Sequence, residues 1–351
     1  MKKFLHLAAP LRNVGDNALI LGMRELFKEY VLQLKPIRRT VITTKLIASI
    51  NSKYAGLIIG GGGLLHAPPS IRKRKHHSSG TLIMLNTKNL KFLTKPLIVY
   101  GVGYNVFRGE RNLPPIARRS IIDMIDKSVH FSVRNDGSRQ RLSEFLGIHP
   151  DTIEEVPDPG LYVGHTDSQL SNNIRGKNIA IQIAADRLKC RFNGRKEVDV
   201  FVENIKHFIE SNQEYKCWLV PHCPIDDKFI KKRFKGYNKV PLLLKLEKAE
   251  VIMGFYKKMD VVIGQRGHGN ICPFGIGVPI ISLVSHDKNF GFMKSLGLEK
   301  YAVPASEPKL SFVLTDLVKT INEDYIENQT KIIKDLEDRS RMAINSIVEE
   351  I

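Results

Sequence analysis

Short apolar runs alternate with amphipathic stretches along the whole chain. In the first half the runs fall at 3–8, 56–59, 97–100 and 130–133, and each is followed by glycine or a polar turn. Runs this short and this uniformly apolar read as strands covered on both faces. Between the first two, Leu19, Met23, Leu26, Phe27 and Tyr30 recur at helical spacing on one face, while Glu25 and Lys28 lie elsewhere. Further helices are expected over 114–127 and 138–146, the second stopped by Gly147, a residue suited to a left-handed cap. The stretch 164–177 is polar, with Asp, Ser, Asn and Gly, and reads as a linker. The rhythm then restarts, with strands at 178–183, 215–220, 261–263 and 280–284. Helices are expected over 198–211, over 244–256 and just after His268, and a long charged helix over 321–350.

This order specifies an α/β fold of two Rossmann-like domains with mainly parallel sheets and a cleft between them. The expected division is 1–165, 175–320 and a C-terminal helix 321–351, since 351 residues exceed what one core usually serves. Ligands of open parallel sheets sit beyond the carboxyl ends of the strands, so the chemistry is expected in the loops there.

Charge narrows the class of partner. Lys and Arg number 54 against 36 Asp and Glu, a formal net charge of +18. Such an excess favours nucleic acid, an anionic lipid surface, or a phosphorylated or carboxylated substrate. Its densest run is Arg72-Lys73-Arg74-Lys75-His76-His77. No zinc module, RNA-recognition signature or basic helix with interleaved aromatics is present, which argues against nucleic acid. No apolar run approaches the roughly 18 residues of a membrane span. The opening Met-Lys-Lys-Phe-Leu-His-Leu-Ala-Ala-Pro is too short in its apolar part for a signal peptide and reads as a first strand. The expectation is a cytoplasmic protein, with peripheral contact to the inner face of an anionic membrane. The four cysteines form no CxxC pair and read as reduced thiols, with no metal site.

Five strand-end segments carry candidate chemistry. Asn13-Val14-Gly15-Asp16-Asn17 offers a sharp turn and a capping carboxylate, and is also what an ordinary capped turn looks like. Gly60-Gly61-Gly62-Gly63 follows an apolar run and would leave backbone N–H groups free for an anion or a sugar. It is not a Walker loop, since no Gly-Lys-Ser/Thr follows. Gly101-Val102-Gly103 is a weaker example. Arg134, in Ser132-Val133-Arg134-Asn135-Asp136, can hold a carboxylate or phosphate through its planar fork, or pair with Asp136. His222, followed by Asp226, is either a ligand contact or a locally bonded turn histidine. Arg266 and His268 lie where a strand gives way to a helix, a place that favours anions, and histidine can move a proton near neutral pH.

Together these segments resemble the polysaccharide pyruvyl transferase family. Asn13 to Ala18, the glycine run, Ser132 to Ser138, Val220 to Asp226 and Gly264 to Leu283 occur in the family's order, and Ser285-His286-Asp287-Lys288 resembles its C-terminal region. Arg266 and His268 match the family's Arg-x-His motif, and Arg134 matches its arginine after the fourth strand. The resemblance implies a GT-B-like fold. It implies phosphoenolpyruvate as co-substrate, no cofactor, and a glycan or lipid-linked saccharide as acceptor, with a cyclic pyruvate ketal as the typical product. The site then comprises His268 and Arg266 as catalytic groups, with Arg134, Arg266, His268 and His222 around phosphoenolpyruvate. Asn13, Gly15, Asp16, Gly61, Gly62 and Gly63 form the acceptor or anion loop. His268 is either general acid or phosphate ligand. The rival readings are a GT-B glycosyltransferase using a nucleotide-sugar and, further off, a non-catalytic binder of anionic polymer or nucleic acid.

Overall fold

A computed structural model describes residues 1–9, 13–36, 42–67, 79–85, 87–107 and 109–351. The basic run 72–77 lies outside the described residues. The first half holds β1 (Lys3–Ala8), β2 (Val31–Pro36), β3 (Gly56–Leu65), β4 (Leu97–Tyr104), β5 (His130–Arg134) and β6 (Glu154–Val156). They form one sheet in the order β2-β1-β3-β4-β5-β6. The second half holds β7 (Asn178–Ile183), β8 (Lys216–Pro221), β9 (Val261–Gly264), β10 (Ile280–Val284) and β11 (Ala302–Pro304), ordered β11-β10-β9-β7-β8. Every strand pair among the described residues is parallel. Helices cover both sheets, which is why the central strands are apolar on both faces. The result is two Rossmann-like sheets in a GT-B-like arrangement.

The glycine run differs from expectation. It continues β3 rather than leaving it as a loop, pairing Gly60 with Tyr100 and Gly62 with Val102 before the register shifts. Gly61 and Gly62 have φ of 69° and 91°, so the strand bulges there. Close packing explains the composition: a Cβ on Gly61 would stand 1.7 Å from Leu19, and one on Gly63 2.7 Å from Asn105.

Two helices tie the halves together. Val14–Leu26 follows β1, yet Val14 and Ala18 belong to the core built around β7–β10. Leu19 and Met23, on the same helix, pack with Phe4, Ile58 and Tyr100 of the first sheet. The last helix, Glu323–Glu350, buries Tyr325 and Leu336 against the second core and Ala343 and Ile347 against the first sheet. Residues Val14 and His222 are joined directly, the Val14 N–H donating to the His222 carbonyl at 2.9 Å.

Candidate active site

Between the sheets lies a cavity of about 270 Å³, lined by strand-end residues of both halves. Asn13, Asp16, Gly61, Gly62, Gly63, Arg134, Arg266 and His268 all reach it. Of the expected site residues, Gly15 and His222 do not line the cavity, and the others converge on it.

Arg266 leaves the end of β9 with its backbone N–H fixed by Gln182 Oε1 at 2.7 Å. Its guanidinium forks onto Asp226, Nε and Nη2 each at 2.8 Å, and Nη2 also meets Asp186 at 2.8 Å. Arg134 is buried and donates from Nε to Asp136 at 2.6 Å and from Nη1 to Asp158 at 3.0 Å. A Cβ on Gly103 would stand 2.6 Å from Arg134, so the weaker glycine pair makes room for this guanidinium. Both forks are thus occupied by carboxylates. Within the described residues Nη1 of Arg266 and Nη2 of Arg134 make no hydrogen bond.

His268 opens the helix His268–Gly275 and is nearly buried, its side chain 12 % exposed. Its ring is confined by two glycines: a Cβ on Gly15 would lie 2.4 Å from His268 Cβ, and one on Gly160 3.1 Å from Cδ2. Gly15 itself is set by its N–H bond to Asn13 Oδ1, 2.8 Å, which caps the first helix. On the His268 Nε2 side stands Asp158 Oδ1 at 3.5 Å, an electrostatic contact longer than a hydrogen bond. Burial alone would raise the Asp158 carboxyl. His268, Arg134 and the Gly160 N–H together hold it well below the usual carboxylate range. Nδ1 makes no hydrogen bond within the described residues and lies against Gly15.

His222 corrects the expectation. It is fully buried, does not line the cavity, and bonds Tyr256 Oη through Nε2 at 2.8 Å. Burial, helped by Arg266, lowers its pKa to about 3, so it is a neutral core residue. Its neighbour Asp226 is what the site uses, through Arg266.

The structure also brings in residues that sequence reasoning misses. Asp186, Arg187 and Arg191 follow β7, a strand end that no glycine or histidine marks. Arg187 adopts a left-handed φ of 53°. It spans the cleft to Glu110 and His66 of the first half, each at 2.9 Å. Arg191 bonds Asp186 and Ser285. Phe107 lies under Arg187 and Arg191, 4.3 and 5.2 Å from its centroid, a cation–π platform. Asp158 and Gly160 are missed because nothing local in Asp158-Pro159-Gly160 reveals that His268 lies opposite.

Solved structures share this architecture at low identity, which shows the fold alone. The UDP-GlcNAc 2-epimerase of Neisseria meningitidis, bound to UDP-GlcNAc, aligns with a TM-score of 0.60 at 11% identity, over 99% of this chain and 100% of that one. A putative UDP-N-acetylglucosamine 2-epimerase from Listeria monocytogenes aligns at 0.55 and 14% identity, over 94% and 90%. A spinosyn rhamnosyltransferase aligns at 0.51 and 10% identity, over 99% and 100%. No curated protein matches the chain in sequence. The family profile described as polysaccharide pyruvyl transferase, however, matches residues 13–287. That span runs from the Asn13 cap through Arg134 and the Arg266–His268 pair, the same groups that meet at the cleft. The chain therefore belongs to the polysaccharide pyruvyl transferase family and is an enzyme that moves a pyruvyl group from phosphoenolpyruvate to a glycan acceptor.

Proposed function

We propose that the enzyme forms a cyclic pyruvate ketal on its glycan, with the half 175–320 holding phosphoenolpyruvate and the half 1–165 presenting the sugar. The observation that carries this is His268, which lines the cleft where the two halves meet, is backed by Asp158 and keeps Nδ1 without a hydrogen-bond partner among the described residues. In the first step protonated His268 gives its Nδ1 proton to C3 of phosphoenolpyruvate, leaving C2 electrophilic. Asp158 stabilises the imidazolium from the other side. A sugar hydroxyl adds to C2 and gives up its proton. Asp16 lines the cleft on the acceptor side with no ion-pair or hydrogen-bond partner among the described residues, and it takes that proton. The C2–O bond to phosphate then breaks, a second hydroxyl closes on C2 and loses its proton, and inorganic phosphate leaves. Protonation at C3 and deprotonation of two hydroxyls balance against release of phosphate in its protonated form.

In this scheme Arg134 positions His268 through Asp158, and Arg266 offers its free Nη1 to the donor. A positioned general acid contributes about 10²- to 10⁴-fold, so His268→Ala is expected to lose that much turnover while remaining folded. The test supplies the purified enzyme with phosphoenolpyruvate and saccharide acceptors and follows phosphate release and glycan mass. The expected product gains pyruvic acid less one water. Transfer of a sugar from a nucleotide donor instead would overturn the scheme.

The acceptor proposed is a lipid-linked saccharide at the inner membrane face. The net charge of +18 supports this, and no helix among the described residues is long and apolar enough to cross a membrane. Sedimentation with anionic liposomes that ignored salt and lipid charge would remove it.

A further inference from the structure

Arg187 belongs to the second half by sequence, yet its guanidinium is held by the first. Nη1 donates to Glu110 Oε2 and Nη2 to His66 Nε2, each at 2.9 Å, and the fork lies 4.3 Å from the Phe107 ring centre. The Glu110 carboxylate is fixed for this by its own loop, since Oε2 also accepts from the Phe107 N–H at 3.2 Å. Beside the fork, Lys288 Nζ makes a longer bond across the cleft to the Asn105 amide oxygen, 3.2 Å away. Among the described residues Arg187 is also the one non-glycine residue with a left-handed φ. A long side chain adopts that backbone only where its surroundings over-determine it, and such positions gather at functional sites. The side chains of Arg187 and Glu110 are 28 % and 30 % exposed, and Arg187 lines the cavity as well. The pair therefore stands in the wall between cavity and solvent.

From this arrangement we propose that Arg187 is a specificity-determining latch, which decides whether a sugar or water captures the activated donor. The inference rests on the pyruvyl-transfer reading of the cleft and adds a selectivity that reading does not supply. Once C3 of phosphoenolpyruvate is protonated, C2 accepts any oxygen nucleophile. A sugar hydroxyl leads on to the ketal. Water instead forms a C2–O bond, the C2–O bond to phosphate breaks, and the new hydroxyl loses its proton as the carbonyl of pyruvate forms. Phosphoenolpyruvate and water then give free pyruvate and phosphate. Of the two protons water gives up, one replaces the proton passed to C3 and the other leaves with phosphate. The latch prevents this by holding the halves together over the bound substrates and keeping bulk water from C2. Asp186 and Arg191, which follow the same strand, are tied to one another and to Arg266 within the second half, and leave the crossing to Arg187.

The test gives the wild type, Arg187→Gly, Glu110→Arg and the exchange variant (Arg187→Glu with Glu110→Arg) phosphoenolpyruvate and a saccharide acceptor. Total phosphate is counted against free pyruvate, which is read with lactate dehydrogenase and NADH. Arg187→Gly removes the fork while suiting the left-handed backbone, so its thermal midpoint should hold or rise. Breaking a partly exposed charged pair and its companion bond shifts the open population by roughly 10-fold, and free pyruvate per phosphate should rise by about that factor. Glu110→Arg alone should leak in the same way, and the exchange variant, with the pair restored in reverse, should leak less than either. Raising the salt from about 0.1 to about 1 M shortens the screening length from ~10 to ~3 Å, so it should raise the leak of the wild type and leave that of Arg187→Gly unchanged. An unaltered partition in Arg187→Gly overturns the inference. So does a fall of ketal and pyruvate in step, which would make Arg187 an ordinary binding group. A wild type that releases no phosphate from phosphoenolpyruvate sinks instead the reading beneath it.

Discussion

Replacing Gly15 with alanine tests whether His268 works from the position the first helix allows it. The added methyl carbon would stand 2.4 Å from His268 Cβ, 2.8 Å from Nδ1 and 2.9 Å from Cγ, against an ordinary contact distance that begins near 3.4 Å. One partner must therefore retreat by about 1 Å. The helix is held by its cap at Asn13 and by the Val14 bond to His222, and on the far side the imidazole meets Gly160 and Asp158. The closest atom is His268 Cβ, which no χ1 rotation moves, so the start of the helix His268–Gly275 must shift and carry the imidazole with it. A misplacement of that size costs a catalytic group ~10²-fold in rate. Overpacking adds a stability loss of about 1–3 kcal/mol. The assay is phosphate release at saturating phosphoenolpyruvate, with the thermal midpoint measured beside it. The decisive comparison adds the double variant, Gly15→Ala with His268→Ala. If the glycine acts only through the imidazole, the double variant is no slower than His268→Ala alone. Wild-type turnover in Gly15→Ala, or losses that multiply in the double variant, would refute the reasoning.

Two further outcomes follow from the charges and the buried histidines. Arg134→Met leaves Asp136 and Asp158 buried without their guanidinium, so it should cost about 3–5 kcal/mol of stability and lower turnover more than it raises KM for phosphoenolpyruvate; a pure KM effect would make Arg134 a donor clamp instead. His6, His130 and His222 are buried with pKa values lowered to about 4, 4 and 3, in each case first by desolvation. Between those values and 6.5 the unfolded chain binds more protons than the fold, so stability is present above pH 6.5 and falls as pH drops toward 4, by up to ~1.4 kcal/mol per unit per histidine. Thermal midpoints at pH 6.5, 5.5 and 4.5 should decline steadily, and a flat series would contradict the burial.

Central strands are readable because they are apolar on both faces: β1, β7 and β10 run as the pattern predicts, Lys3–Ala8, Asn178–Ile183 and Ile280–Val284. The helix Ser138–Leu146 stops at Gly147 with φ of 65°, the cap its sequence calls for. Three of the four edge strands escape, for a physical reason. β6 and β11 have three residues each, too few to show a period, and β2 begins within a turn of the helix before it. The glycine run misleads because glycine marks both an anion loop and a close backbone approach. Only the identity of the neighbour, Leu19 on a helix some forty positions earlier, separates the two.

The strand-end rule is enough to locate Arg134, Arg266 and His268 in the chain, because position at a strand terminus is a local property that spacing records. Which charges cancel is not local. Arg266 meets Asp226 and Asp186 from two other strand ends, Arg134 meets Asp158 after β6, and Lys288 is left with Asn105 from the opposite half. Net charge written along a sequence cannot say which cations remain free, since an ion pair depends on a separation of a few ångströms between segments far apart in number. The kinds of group and their order are therefore set by the chain itself, and the folding of two sheets about one cleft decides which of them has anything left to offer a substrate.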